Sequence, residues 1–228
     1  IGENEKAAEW RTRADERRDL INRYFWDESS GFYWDYDMRT GERLRGTPRS
    51  LAAFVPLWAG VADQDQASRV VDHLPAFEYD HGLVSCEQGW DDGTEHNYPT
   101  GWPYSHWYVC SALRAYGFHD EASRIAMKWL RLIASEFDQT GVIRERHNVV
   151  DPSVPVPGRY PPQRGFAWTN GVFAALLVRM IFGIEAARDG SEIETRPIFP
   201  REWAGEEIQI QLPSYPWSEG VIFNQVAG

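Results

Sequence analysis

Apolar residues recur at helical spacing along most of the chain and switch to alternation in two stretches. From Glu5 to Tyr24, Ala8, Trp10, Ala14, Leu20 and Ile21 sit among charges, the pattern of a surface helix. Phe25 to Arg45 alternates aromatic and polar residues around Ser29-Ser30-Gly31 and Thr40-Gly41, and predicts an extended or hairpin excursion. Pro48 and Ser50 introduce a helix through Ala62, and Asp63 begins another to Leu74. The glycine- and acid-rich loop Glu78 to Thr100 precedes a helix over Trp102 to Tyr116, which Gly117 stops. His119-Asp120 opens a helix to Phe137. After the proline-laden loop Asp151 to Gln163, a strongly apolar helix is expected from Phe166 to Ala187. Ser191 to Pro213 alternates again and reads as a small β appendage, so the expected division is residues 1–188 and 189–228.

One internal repeat organises the helices. Asp65-Gln66-Ala67-Ser68-Arg69-Val70 returns 55 residues later as Asp120-Glu121-Ala122-Ser123-Arg124-Ile125. Each copy opens a helix just after another has ended at a glycine, Gly60 or Gly117. Equally spaced hairpins of this kind build either a solenoid or a closed α/α toroid. In both, the long connecting loops gather on one face, and here those loops hold the unusual residues.

Composition adds bounds. The 228 residues are 43% hydrophobic and 25% charged, and 11 Trp, 10 Tyr and 11 Phe supply ample surface for a core, which excludes disorder. A balance of 23 basic against 34 acidic residues gives −11. That argues against nucleic acid and for neutral or cationic ligands. The richest apolar stretch, Gly171 to Ile184, is broken by Arg179, so no membrane span is expected. The charged start, Ile1-Gly2-Glu3-Asn4-Glu5-Lys6, lacks the apolar stretch of a signal peptide and tilts an open localisation toward the cytoplasm. It also lacks Met, the mark of a processed, trimmed or partial chain. Cys86 and Cys110 match no metal-ligand spacing and are read as buried thiols rather than a bridge.

Three loops combine aromatics with polar groups: Gly89 to Trp102, Gly141 to Asn148, and Gly158 to Gly171. Sugars present apolar C–H faces and a rim of hydroxyls, so a carbohydrate site needs aromatic platforms beside Asp, Asn, Gln and Arg. Aromatic core with solvated loops would give the same composition.

Specific motifs narrow this. Gly165-Phe166-Ala167-Trp168-Thr169-Asn170-Gly171-Val172 resembles the trehalase signature Gly-Phe-Gly-Trp-Thr-Asn-Gly-Val. Tyr98-Pro99-Thr100-Gly101-Trp102-Pro103 is similar to that family's Asp-x-Pro-Asn-Gly-Trp-Ala-Pro. Gly141 to Val149 is similar to the segment that ends Glu-Lys-Tyr-Asp-Val there. The order and spacing of all three agree, over roughly Tyr24 to Ile184, with trehalases and the related oligosaccharide glucosidases and mannosylglycerate hydrolases. The resemblance implies an all-α, (α/α)6 toroid and an inverting glycosidase with Glu145 as base. Inversion uses a second carboxylic acid, about 6.5–9.5 Å away, to protonate the leaving oxygen. Arg144 and Arg146 flank Glu145, and a nearby cation favours the ionised form a base requires.

The departures from the family pattern shape the expected substrate. Glu95-His96-Asn97 stands where the family has Gln-Trp-Asp, and Gly158-Arg159-Tyr160 where it has Gly-Glu-Tyr. Arg159 reverses a charge at the pocket wall and favours a glycoside carrying a carboxylate, such as a glycosyl-glycerate. The pattern holds about six helices, half of the roughly twelve of such a ring, so the chain reads as its C-terminal half, with the general acid supplied by a missing N-terminal half. A local echo of the acid motif, Glu87-Gln88-Gly89-Trp90-Asp91, offers Asp91 as a second catalytic candidate, although its order along the chain suits a sugar ligand better. Trp90, Trp102 and Trp168 are the expected platforms, and Asn97, Arg144, Arg159 and Gln163 the polar ligands.

No cofactor is implied. His96, His106, His119 and His147 form no i, i+4 pair, which argues against zinc, and His106 reads as a packed core histidine. Asp35-Tyr36-Asp37 with Gly41 lacks the twelfth-position Glu of a calcium loop. No phosphate loop or Gly-x-Ser-x-Gly elbow occurs. A non-catalytic sugar-binding or scaffold module is the competing function, and a sugar isomerase on the same toroid a third.

Overall fold

The computed structural model describes residues 4–88, 95–186, 192–212 and 221–227. Helix α1 (Asn4–Tyr24) buries none of its residues, as its evenly spread charges dictate, and leads into two hairpins. The first pairs β1 (Trp26–Asp27) with β2 (Phe32–Tyr33), and the second β3 (Tyr36–Asp37) with β4 (Glu42–Arg43), both antiparallel. The helix expected from Pro48 to Ala62 is shorter. Ser50 is extended and bridges to Cys86, and only Leu51–Phe54 (a 3-10 turn) and α2 (Val55–Trp58) are helical. Asp63 caps α3 (Gln64–Val71) through a complete capping box with Gln66.

The hairpin of β5 (Glu78–Tyr79) and β6 (Gly82–Leu83) precedes β7 (Thr100–Gly101), α4 (Pro103–Ala115) and α5 (His119–Thr140). β8 (His147–Asn148) pairs back onto β7. The repeat is structural: α3 and α5 each start one residue before a copy. Ala67, Val70, Ala122 and Ile125 are all fully buried. Arg69 and Arg124 each reach back to a glutamate on a preceding hairpin, Glu28 and Glu78.

α2, α4 and α6 (Ala167–Ala175) lie side by side, with α5 behind α4. This gives an incomplete ring of helical hairpins around a core that includes Phe54, Leu113 and Trp129. The helix expected to run to Ala187 stops earlier. α6 passes into a π-helical turn, Leu176–Ile181, and Gly183 turns the chain at φ 61°. β9 (Ile184–Ala186) then pairs with β10 (Ile193–Thr195), and β11 (Glu207–Leu212) with β12 (Val221–Val226). Cys86 and Cys110 are buried thiols that are not bridged to each other. No described helix is long and apolar enough to cross a membrane.

Candidate active site

The amino ends of α4 and α6 are capped by Trp102 and Phe166, so Trp102, Tyr104 and Trp168 gather at one end of the helix layer. Glu145 is held there by backbone. Its N–H donates to Gln163 O at 3.0 Å, and Thr169 Oγ1 donates to the Arg144 carbonyl at 2.8 Å. Arg144 bridges Arg164 on one side, while His147 and Asn148 form β8 on the other.

The Glu145 carboxylate is half in and half out, at 14% exposure. Oε2 accepts from Arg146 at 2.7 Å and from Gln163 N–H at 3.3 Å. Oε1 has no protein partner among the described residues. Arg146 is almost fully buried, which an arginine tolerates only when its charge is met. It lies 3.2 Å from Glu95, donates to Tyr160 O, and sits 5.8 Å from the Trp102 ring centroid. Gly158 is required at this closure, because a side chain there would collide with Arg146 and Glu95 at φ 141°.

The aromatic groups form one continuous platform. His96 stacks on Trp102 at 4.8 Å and 14°, and its Nδ1 lies 2.8 Å from Tyr104 Oη. Tyr104 in turn lies 5.4 Å from Trp168, which is 55% exposed. An imidazole thus keeps an aromatic face at position 96. Beneath the platform, His106 is fully buried, and burial pushes its pKa down to about 3.

Of the expected site residues, Glu145, Trp102, Trp168 and Gln163 come together. Arg144 sits beside them but is tied to Glu136 at 2.6 Å. Asn97 is buried. Arg159 is exposed and makes no ion pair among the described residues. Trp90 and Asp91 lie outside the described residues. Sequence reasoning left out Glu95, His96 and Tyr104 as site residues, although each is adjacent to a motif. Glu136 carried no local signal, being on α5 and brought in by the tertiary fold. Among the described residues, no group of three His, Cys, Asp or Glu side chains could hold a metal ion.

The sequence profile of the trehalase family, described simply as trehalase, matches residues 1–181. The chain belongs to the trehalase family. This trehalase-family chain is similar in structure to neutral trehalase Nth1 from Saccharomyces cerevisiae, with 29% identity and a TM-score of 0.63 over 75% of this chain and 30% of that one. It is also similar to a GH63 mannosylglycerate hydrolase from Thermus thermophilus solved with glucose, with 25% identity and a TM-score of 0.52 over 66% of this chain and 36% of the other. The same hydrolase has been solved with Tris and D-glycerate. These likenesses establish the (α/α)6 architecture, of which this family member spans about a third of its neighbours' length.

Proposed function

We infer that this chain carries the base side of an inverting glycosidase site that cleaves an α-glycosidic bond in a small sugar or glycoside. The observation that carries the reading is the divided Glu145 carboxylate. One oxygen is anchored by Arg146 and Gln163, and the other has no hydrogen-bond partner among the described residues. In the reaction, Glu145 takes a proton from water as the water oxygen bonds to the anomeric carbon. The glycosidic C–O bond breaks, and a carboxylic acid protonates the leaving oxygen. That acid comes from a segment outside this chain that completes the ring, with Asp91 as the candidate within the chain. Trp168 and the half-buried Tyr104 offer faces for the sugar's C–H groups, Trp102, buried with His96 stacked on it, supports them, and Gln163 lies at the rim. Exposed Arg159 supplies a cation for a substrate carboxylate, which supports a glycosyl-glycerate.

A glycoside panel including trehalose and mannosylglycerate, with product anomers followed by NMR, tests this reading. Glu145→Gln is expected to lower kcat by about 10²–10⁴-fold while sugar binding persists. Normal hydrolysis by that variant overturns the assignment. The carbohydrate-binding module remains the second reading, because Glu95, the described carboxylate that shares Arg146 with Glu145, is itself tied to that arginine. Sugar binding without turnover by any assembly of the native protein would establish it.

A further inference from the structure

The geometry points to Glu136 as a positioning residue for Glu145, acting by clamping the chain on both sides of it; this rests on the glycosidase reading above. Glu136 lies in the last turns of α5, and its side chain is only 10% exposed. Each of its oxygens takes a different partner. Oε1 lies 2.6 Å from Arg144, the residue before Glu145, and Oε2 lies 2.6 Å from Nε2 of His147, two residues after it. One rigid helical carboxylate thus spans the candidate base without touching it.

The two arms differ in kind. Arg144 is 45% exposed, so its contact alone is screened and worth little. His147 is buried, its ring edge against Trp129, and its other nitrogen Nδ1 has no hydrogen-bond partner. Among the described residues, Glu136 is therefore the one side-chain hydrogen-bond partner of a buried ring, where hydrogen bonds are strongest and most costly to lose. Burial alone would push the Glu136 carboxyl up. The His147 hydrogen bond and the charges of His147 and Arg144 outweigh it and hold the group below the usual range, as a clamp that must stay ionised requires.

His147 stands where the resembled segment has Tyr. Arg144, His147 and Glu136 thus form one unit. Catalysis is steep in geometry: a displacement of about 1 Å can cost on the order of 10²-fold in rate. Loosening Arg144 or His147 shifts Glu145 relative to a bound sugar while the platform of Trp102, Tyr104 and Trp168 stays in place. The expected signature is a loss in kcat with KM preserved.

Glu136→Gln is the informative variant. It preserves shape but leaves one acceptor for two donors. Measured on the assembly that hydrolyses a glycoside, it should lower kcat by on the order of ten- to a hundred-fold with KM within about twofold. Glu136→Asp, which keeps both acceptors but is shorter, should recover part of that loss. In parallel, amide exchange across residues 144–147 should quicken at least about tenfold, while that of α4 stays unchanged. Unchanged kcat together with unchanged exchange overturns the clamp. So does exchange that quickens uniformly across the molecule, because Glu136 is then merely structural. If the native protein turns over no glycoside, the hydrolase reading fails on its own, and local exchange in Glu136→Gln still decides whether the clamp exists.

Discussion

His106 has both ring nitrogens engaged deep inside the molecule. Nε2 accepts the Leu83 N–H at 2.9 Å, and Nδ1 lies 2.7 Å from the Trp102 carbonyl. Its ring stacks on Trp129 at 3.9 Å. Burial holds it neutral, with its pKa near 3, whereas an unfolded histidine titrates near 6.5. Between those values the unfolded chain binds a proton that the native state refuses, so stability falls as pH drops through that window. Urea midpoints of the native protein and His106→Gln should therefore converge on acidification. The variant is less stable at pH 7, but the gap narrows by on the order of 3 kcal/mol by pH 4. Parallel profiles would mean that His106 is not the group that titrates. The core role of this histidine was legible because it sits mid-helix among aromatics. Glu145 could be singled out as a candidate from a motif in one continuous segment. Glu136 could not, since a helical glutamate nine residues upstream looks like any solvated one until the fold returns the chain to it.

At the scale of elements, boundaries follow glycine and backbone pairing more than apolar content. The expected helix to Ala187 read a continuous apolar run as one element, yet short buried strands and helices share that signature. Gly183 ends the run: in its left-handed turn the Arg196 backbone packs against it, leaving no room for a Cβ. Likewise the expected helix from Pro48 gives way at Ser50, whose pairing with Cys86 ties this segment to the chain that follows the β5–β6 hairpin. Gly101 in β7 makes another such close approach. A Cβ there would collide with Val149 and lie 2.8 Å from the Leu83 carbonyl. Backbone cannot yield as a flexible side chain can, so Gly101→Ala should cost about 3 kcal/mol. Gly60→Ala, in open space at φ 67°, should cost only about 1–2 kcal/mol for its left-handed conformation. Thermal unfolding of the two variants checks the contrast; a loss for Gly101→Ala no larger than that for Gly60→Ala would show that the close approach of β6, β7 and β8 can relax around a methyl group.

For the whole molecule, the question is what joins the β-rich tail to the helical layer. The repeat and the loop motifs made the ring of hairpins readable, but nothing local announced the joint, because it is made by side chains reaching carbonyls far along the chain. Two of the links are exposed ion pairs, Arg131–Glu202 and Arg201–Asp120, and such pairs contribute about 0–1 kcal/mol each. Arg114 is different. It is 20% exposed, leaves the last turn of α4, and donates to the Arg179 carbonyl at 2.7 Å and the Arg196 carbonyl at 3.1 Å, with Glu185 at 3.4 Å. One guanidinium thus ties α4, the π-helical turn and the strand leading into the tail, while Ile198 packs into the same core. Its removal takes the donor from two carbonyls at once, while Glu185 keeps Arg179 at 3.6 Å, so Arg114→Ala should destabilise by about 1–3 kcal/mol. Because a lysine carries one compact donor group in place of a planar fork, Arg114→Lys should restore only part of this. The loss should also be local. Amides of residues 193–198 should exchange much faster, while those of α5 away from the tail keep their protection. Loss of protection throughout the helices would instead make the tail an integral part of the hairpin layer, folding and unfolding with it as one unit.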